Sequence, residues 1–395
     1  MILSPRTQRL KKLAEKSPGW ACIHPWSHLC INPNGSTKLC CHHTNSDIGD
    51  TNTESIEDIM NGPTMRRIRR QMLAGQAPNE CEKCDRIERI PAGSPRMKEH
   101  GRSYAEEIRD KYIATTQPDG TAEYSLKYWD LRFSNICNMS CVMCNSDWSS
   151  LWSSESKAIT KGFTQEHIDK DSNLTYMQWQ HKLTTAKVNQ TKDFQWIDNH
   201  MDQVERIYFA GGEPMIMPSH WYILEKLHAR KRFDVELSYN TNMLKLSHGG
   251  KQALDYWQDW PYEQVKVQPS IDETGERAEW IRYGTVWNTV KQNIISVRDA
   301  GIWMEPMLSV GAYNILRLPQ LLKELYELFN NKIQINIVWN KEWRLSNLNW
   351  EDRQSVKPQL EQLHDLVSDP NVMNQLYHLL AVSYTHLTLP TKWIV

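Results

Sequence analysis

The chain has 395 residues, a formal net charge of −1 and nine cysteines, enough length for two domains or for one domain with an extension. The near-neutral charge offers nothing to nucleic acid or another polyanion, no apolar run approaches membrane-spanning length, and no signal-peptide pattern opens the chain. Cysteines without a secretory signal argue against a disulfide framework and for metal binding in a reducing cytoplasm.

Residues 1–20 read as an N-terminal extension, with a short basic amphipathic stretch from Thr7 to Lys16. A cysteine-rich module follows over 21–100. It contains Cys22-Ile-His-Pro-Trp26, then Asn34-Gly35 ahead of Cys40-Cys41, and later Cys81-Glu-Lys-Cys84. Asn-Gly is a strong turn signal, so a hairpin at Pro33-Asn34-Gly35 is expected. That hairpin brings Cys22 toward Cys40, and Cys81 with Cys84 completes a four-thiol site. Zinc and an Fe–S cluster both suit four thiolates. Cys30 is expected to be a small buried residue rather than a ligand. Cys41 is an alternative to Cys40. His42 and His43 are ligands only under a zinc reading and surface residues otherwise. Between the cysteines, Ser55 to Leu73 is helix-like. Its basic run Arg66-Arg67-Ile68-Arg69-Arg70 is expected on a solvated helix face.

From about residue 124, strand-like and helix-like segments alternate, the pattern of a parallel α/β architecture. The predicted strands are Tyr128–Ser134, Arg206–Ala210, Asp234–Asn240, Val265–Asp272, Trp303–Val310 and Ile333–Trp339. Directly after the first comes Cys137-x3-Cys141-x2-Cys144. Thiolates at this spacing suit a soft metal centre. Three ligands on a four-iron cluster leave one iron open to a reactant. A zinc knuckle wants a fourth ligand nearby, and His167 has no partner at ligand spacing. Asn145 to Met201 is long for one connection and is expected to hold a helix and an insertion near the mouth of the site. Gly211-Gly212-Glu213-Pro214 ends the second strand, where glycines allow close backbone approach and a carboxylate can receive an ammonium.

Several strands alternate apolar and polar residues. Val265, Val267 and Ile271 interleave with Lys266, Gln268, Ser270 and Asp272, and Ile333, Ile335 and Ile337 with Gln334 and Asn336. An antiparallel sheet with one wet face gives this pattern. So does a barrel with a polar lumen, which the motifs favour. Ser270 and Asp272, like Asn240 and Asn242, then fall at strand C-termini, where ligands bind. Asp272 is alternatively a helix cap. Arg282 reads as an ion-pairing helix residue. The many tryptophans are scattered and read as core and rim packing.

The cysteine triplet and the Gly-Gly-Glu-Pro run together resemble the radical SAM superfamily. The wording around Glu279-Trp-Ile-Arg-Tyr-Gly284 is similar to phage and marine members. The resemblance implies a partial (β/α)6 TIM-like barrel over 124–345, preceded by the cysteine-rich module. It implies a 4Fe-4S cluster on Cys137, Cys141 and Cys144, and S-adenosylmethionine held by Gly211, Gly212, Glu213, Pro214, Asn240, Asn242, Ser270 and Asp272. The implied activity is reductive cleavage of S-adenosylmethionine to a 5′-deoxyadenosyl radical, which abstracts hydrogen from a peptide, protein or small molecule. An external flavodoxin- or ferredoxin-like reductant is the implied partner.

Cys22, Gly35-x4-Cys40 and Cys81-x2-Cys84 resemble twitch or SPASM modules, as do Ile48-Gly49-Asp50, Ser55 to Ile59 and Gly75-x5-Cys81. Most such modules follow the barrel. This one precedes it and lacks the full seven-cysteine set, so one auxiliary 4Fe-4S cluster on Cys22, Cys40, Cys81 and Cys84 is expected. The rivals are a non-catalytic Fe–S electron carrier and a zinc-stabilised binding module. A helical segment at 346–381 is expected to be truncated. Residues 382–395 match one frame of a transposase adapter used in sequencing libraries, and are expected to have no function.

Overall fold

The structure, a computed structural model, describes residues 5–43, 47–89, 94–153, 155, 161, 164, 166, 190–338 and 342–381. His167, most of the expected insertion, Trp339 and the 382–395 tail lie outside the described residues. The chain divides into two compact units, Met1–Ser134 with Ala186–Gly211, and Asn135–Thr185 with Gly212–Val395.

In the first unit, the strands His28–Ile31, Tyr128–Leu131 and Arg206–Phe209 pair in parallel. The hairpin expected at Pro33-Asn34-Gly35 forms: Ser36–Lys38 returns antiparallel along His28–Ile31, with Gly35 at φ 88°. Gly49–Asp50 adds outside it. Strand periodicity sorts the side chains. Leu29, Ile31, Trp129, Leu131, Ile207 and Phe209 are buried on one face, where Trp129 meets Trp196 of the helix Gln190–His200 edge-on at 4.9 Å. The other face is polar. Cys30 lies opposite Asp130, and Asp130 opposite Tyr208. Asp130 is fully buried and receives two hydrogen bonds from Arg132, at 2.9 and 3.1 Å.

The helical stretch from Ser55 is two helices, Ile56–Met60 and Pro63–Leu73. Ser55 caps the first by accepting from Asp58 N at 3.1 Å. Pro63 opens the second, where its missing N–H costs nothing. One expectation fails here. Arg69 is fully buried, not on a solvated face. Its guanidinium donates to Pro25 O, Gly120 O and Asn61 Oδ1 and lies over the Trp26 ring. The buried carbonyls need a donor that only a long cationic side chain reaches. His43 is likewise buried rather than at the surface, and accepts from Leu39 N.

In the second unit, Glu236–Thr241, Val265–Pro269 and Trp303–Met304 pair in parallel, and Met307–Val310 pairs in parallel with Gln334–Ile337. The alternation therefore belongs to parallel strands and not to an antiparallel sheet. The fifth predicted strand breaks at Glu305-Pro306, because proline has no N–H to give a ladder. Its first half stays with Val265–Pro269. Its second half meets that strand's end only at a Ser270–Met307 bridge. The helices Pro218–Ala229, Trp287–Asp299 and Leu318–Phe329 separate the strands and bury apolar faces, for example Leu321, Leu322 and Leu325. No helix among the described residues is long and apolar enough to cross a membrane.

Candidate functional site

The cysteine run leaves a strand end and turns back on itself. Ser140–Cys141 pairs antiparallel with Arg282–Tyr283, which places Cys141 opposite Arg282. Cys144 N donates to Cys141 O at 2.9 Å, and Trp152 Nε1 donates to the same carbonyl at 3.0 Å. Asn135 Nδ2 donates to Ser146 O, and Ser149 Oγ to Met139 O. The loop is therefore fixed through its backbone carbonyls, and of the three thiols Cys144 Sγ donates to Asn145 O at 3.6 Å.

Burial pushes all three thiols up, Cys137 to about 11 and Cys144 to about 12. Cys137 and Cys144 each feel the charge of Cys141, and Arg282 pulls all three back down. Thiols that burial and mutual repulsion keep protonated ionise when a cation arrives, because a coordinating metal deprotonates them outright. Arg282 is itself held by Asp272 at 2.6 Å. Asp272 accepts Ser309 N through its other oxygen, and its carbonyl accepts Asn314 Nδ2. Asp272 caps no helix.

Gly211 and Gly212 are required by space. Gly211 has φ 100°, where only glycine sits without strain. A Cβ on Gly212 would lie 2.1 Å from Ile136 O, at the entry to the cysteine run. Glu213 N donates to that same carbonyl. The Glu213 side chain is buried and accepts Met215 N, Thr241 Oγ1 and Asn242 N, at 3.1, 2.8 and 2.8 Å. Burial nevertheless raises its pKa to about 7. Three hydrogen bonds do not replace a cation, and an ammonium group beside it would. Asn242 in turn donates to Asn138 Oδ1 at 2.7 Å, tying the end of Glu236–Thr241 to the cysteine loop.

A cavity of 370 Å³ opens beside Cys141 and Cys144. Asn240, Ser270 and Arg282 line it, together with Ser309 and Asn336. Asn240 Oδ1 and Arg282 Nε are buried without hydrogen-bond partners, an unmet acceptor and an unmet donor on residues of the cavity wall. Sequence reasoning missed Ser309 as a lining residue and did not single out Asn336. Their signal was the same alternation that gave Ser270. Asp272 and Asn242 do not line this cavity; they brace its wall.

The second thiol group lies in the first unit. Cys22 feels Cys81 and Cys84; Cys40 feels Cys22 and Cys84; Cys81 feels Cys40 and Cys84. Burial raises all four. Cys22, Cys40, Cys81 and Cys84 thus lie within reach of one another's charge. Cys41 is exposed and sits instead in the field of Asp130 and Arg132, and Cys30 is buried beside Asp130. All nine cysteines are free. Among the described residues, no group of three or more His, Cys, Asp or Glu is set at the spacing of a single metal ion.

Two family models match: the radical SAM superfamily over residues 131–325 and the SPASM iron–sulfur cluster-binding domain over residues 22–85. The chain belongs to the radical SAM superfamily. Its fold is the α/β, partial TIM-like barrel of that superfamily with an N-terminal SPASM-type module. A radical SAM domain implies a 4Fe-4S cluster and S-adenosylmethionine, and a SPASM domain implies auxiliary Fe–S binding. The donor sets fit both, since each unit presents a group of thiols that burial keeps protonated and a coordinating metal would ionise.

Among solved structures, the chain is similar to hexahistidine-tagged anSMEcpe with bound AdoMet, at 14% identity and a TM-score of 0.40, over 59% of this chain and 57% of that one. It is similar to Streptococcus suis SuiB bound to S-adenosylmethionine, at 11% identity and 0.42, over 72% and 57%. TYW1 with a lysine-pyruvate adduct gives 13% and 0.32, over 60% and 71%. The chain therefore spans less than two thirds of the first two. No curated protein sequence matches it.

Proposed function

We propose that this radical SAM protein is a maturase-type oxidoreductase that cleaves S-adenosylmethionine reductively and uses the product to abstract hydrogen from a peptide, protein or small-molecule substrate. One observation carries the reading. The loop residues Cys141 and Cys144 line a polar cavity with Asn240, Ser270 and Arg282.

Cys137, Cys141 and Cys144 would hold the cluster. When bound, the cluster and S-adenosylmethionine supply one-electron cleavage of the sulfonium to methionine and a 5′-deoxyadenosyl radical. The chain supplies position and exclusion of water. The Gly212 backbone passes close to Ile136 at the entry to the cysteine run, and Glu213 offers a buried carboxylate to an ammonium. Asn240 and Ser270 line the cavity and carry groups suited to ribose hydroxyls. Asp272 orients Arg282, whose charge favours the thiolates. Asn242 fixes the loop through Asn138. Cys22, Cys40, Cys81 and Cys84 would hold one auxiliary cluster, within a module over 21–100 ahead of a barrel over 124–345. An external one-electron carrier and a cytoplasmic setting complete the reading.

Anaerobic reconstitution tests it. Iron and sulfide uptake with reductive cleavage of S-adenosylmethionine is expected. Zinc alone, or iron without cleavage, supports the binding module or the electron carrier instead.

A further inference from the structure

The Glu213 side chain takes two of its hydrogen bonds from a turn with an unusual backbone. Thr241 Oγ1 donates to Oε1 and Asn242 N to Oε2, both at 2.8 Å. The turn runs over 241–244, directly from the end of the strand Glu236–Thr241. Within it Met243 has φ 60°. Residues other than glycine rarely take this left-handed conformation, and a bulky one keeps it only where its surroundings over-determine it.

Two bonds inside the turn brace it. Met243 N donates to Thr241 Oγ1 at 3.1 Å, and Leu244 N to Asn242 Oδ1 at 2.9 Å. The Thr241 hydroxyl has one proton, so while it accepts from Met243 N it gives that proton to Glu213. The Met243 side chain is fully buried. A further brace comes from another element. Asn293, half-buried on the helix Trp287–Asp299, donates through Nδ2 to Met243 O at 2.7 Å and to Leu244 O at 3.3 Å. A carboxamide NH2 has two protons, so one group holds both carbonyls. All these residues belong to the second unit.

We propose that Asn293 is a positioning residue for the ammonium group of S-adenosylmethionine. It holds Met243 left-handed, which fixes where Thr241 and Asn242 point their donors, and those donors aim the Glu213 carboxylate. Without Asn293 the two carbonyls are left to water, the turn relaxes, and Glu213 loses its fixed direction. Asn240 and Ser270 line the cavity from outside the turn, so the loss falls on the amino-acid end of the ligand and not on its adenosine end. The assignment rests on the reading that Glu213 receives the ammonium, and adds the group that holds Glu213 in place.

The test is calorimetric titration of the reconstituted full-length protein, anaerobic and without reductant. The ligands are S-adenosylmethionine and 5′-methylthioadenosine, which keeps the adenosine and a thioether but has no amino acid. In Asn293→Ala, S-adenosylmethionine should bind about five-fold more weakly, the scale of one neutral hydrogen bond, and 5′-methylthioadenosine within about two-fold of the parent protein. Asn293→Asp sets a carboxylate against two carbonyl oxygens and should show at least the same split. Alanine suits a helix interior, so Asn293→Ala should fold. Gln292→Ala, an exposed neighbour on the same helix, should bind both ligands normally. Equal weakening of both ligands, or unchanged S-adenosylmethionine binding in both Asn293 variants, overturns the proposal. Glu213→Gln separates the two failures. If it binds S-adenosylmethionine normally, the reading of Glu213 falls and the proposal with it; if it binds weakly while Asn293→Ala binds normally, the proposal alone falls.

Discussion

Asp272 and Arg282 form a buried ion pair at 2.6 Å, in which the arginine lies opposite Cys141 in the antiparallel pairing. Asp272 lies past the end of the strand Val265–Pro269 and Arg282 caps the C-terminus of the helix Gly275–Ile281, so the pair locks that helix end beside the cysteine loop. Removing one member of such a pair strands a buried charge and costs about 3 kcal/mol or more, whereas removing both is often close to neutral. Arg282→Met should therefore lower unfolding stability by roughly that amount, and Asp272→Asn with Arg282→Met should recover most of it. Urea unfolding of the three proteins measures this. Equal losses in the single and double variants would show that the pair does not matter.

Glu213 predicts a pH dependence of opposite sign for stability and for ligand binding. Its folded pKa of about 7 stands above the ordinary 4.5. Between these values the folded carboxyl keeps a proton that the unfolded one has lost, so stability falls as pH rises through this window. The full span is worth roughly 3 kcal/mol. An ammonium ligand needs the ionised form, so S-adenosylmethionine should bind more tightly as pH rises through about 7. Glu213→Gln should flatten both profiles. Calorimetric titration at pH 6 and 8, with urea unfolding at pH 5 and 7, reads the two slopes.

The two glycines separate steric from chemical effects. Gly212→Ala places a methyl 2.1 Å from Ile136 O, a main-chain atom that cannot turn aside. The Gly-Gly-Glu-Pro segment must then shift from the cysteine run. S-adenosylmethionine affinity should fall by about ten-fold or more, the equivalent of ~1.4 kcal/mol. Iron bound by the N-terminal cysteines should be unaffected. A variant with normal affinity would mean that this close approach is not part of the site.

Much of this was legible because local chemistry is explicit in the sequence. The triplet spacing, the Gly-Gly-Glu-Pro run and the Asn34-Gly35 turn each specify a short stretch of backbone. The alternation of Val265 to Asp272 specified which side chains share a face, and Asn240 and Ser270 line the cavity accordingly. What the sequence hid depends on distant partners. Arg69 reads as one of four surface arginines until Pro25 O and Gly120 O are placed around it. Pro306 divides a strand that reads as continuous, because both halves are apolar at the right period. Asp272 reads as a ligand or a cap, and only folding brings Arg282 to it.

The N-terminal thiols give the last prediction. Cys40 and Cys41 are adjacent in sequence but face different surroundings. Cys40 feels Cys41 and also Cys22 and Cys84, whereas Cys41 is exposed beside Asp130 and Arg132. The two lie in the turn past the strand Ser36–Lys38, and the local backbone there decides which thiol joins the group. If the group holds one cluster, Cys40→Ser should cost about half of the reconstituted iron and Cys41→Ser none. Cys137→Ala should cost the other half and all cleavage of S-adenosylmethionine. Iron and sulfide assays with Mössbauer spectra of the three variants distinguish the sites. Equal iron loss in the Cys40 and Cys41 variants would mean that either thiol can complete the group.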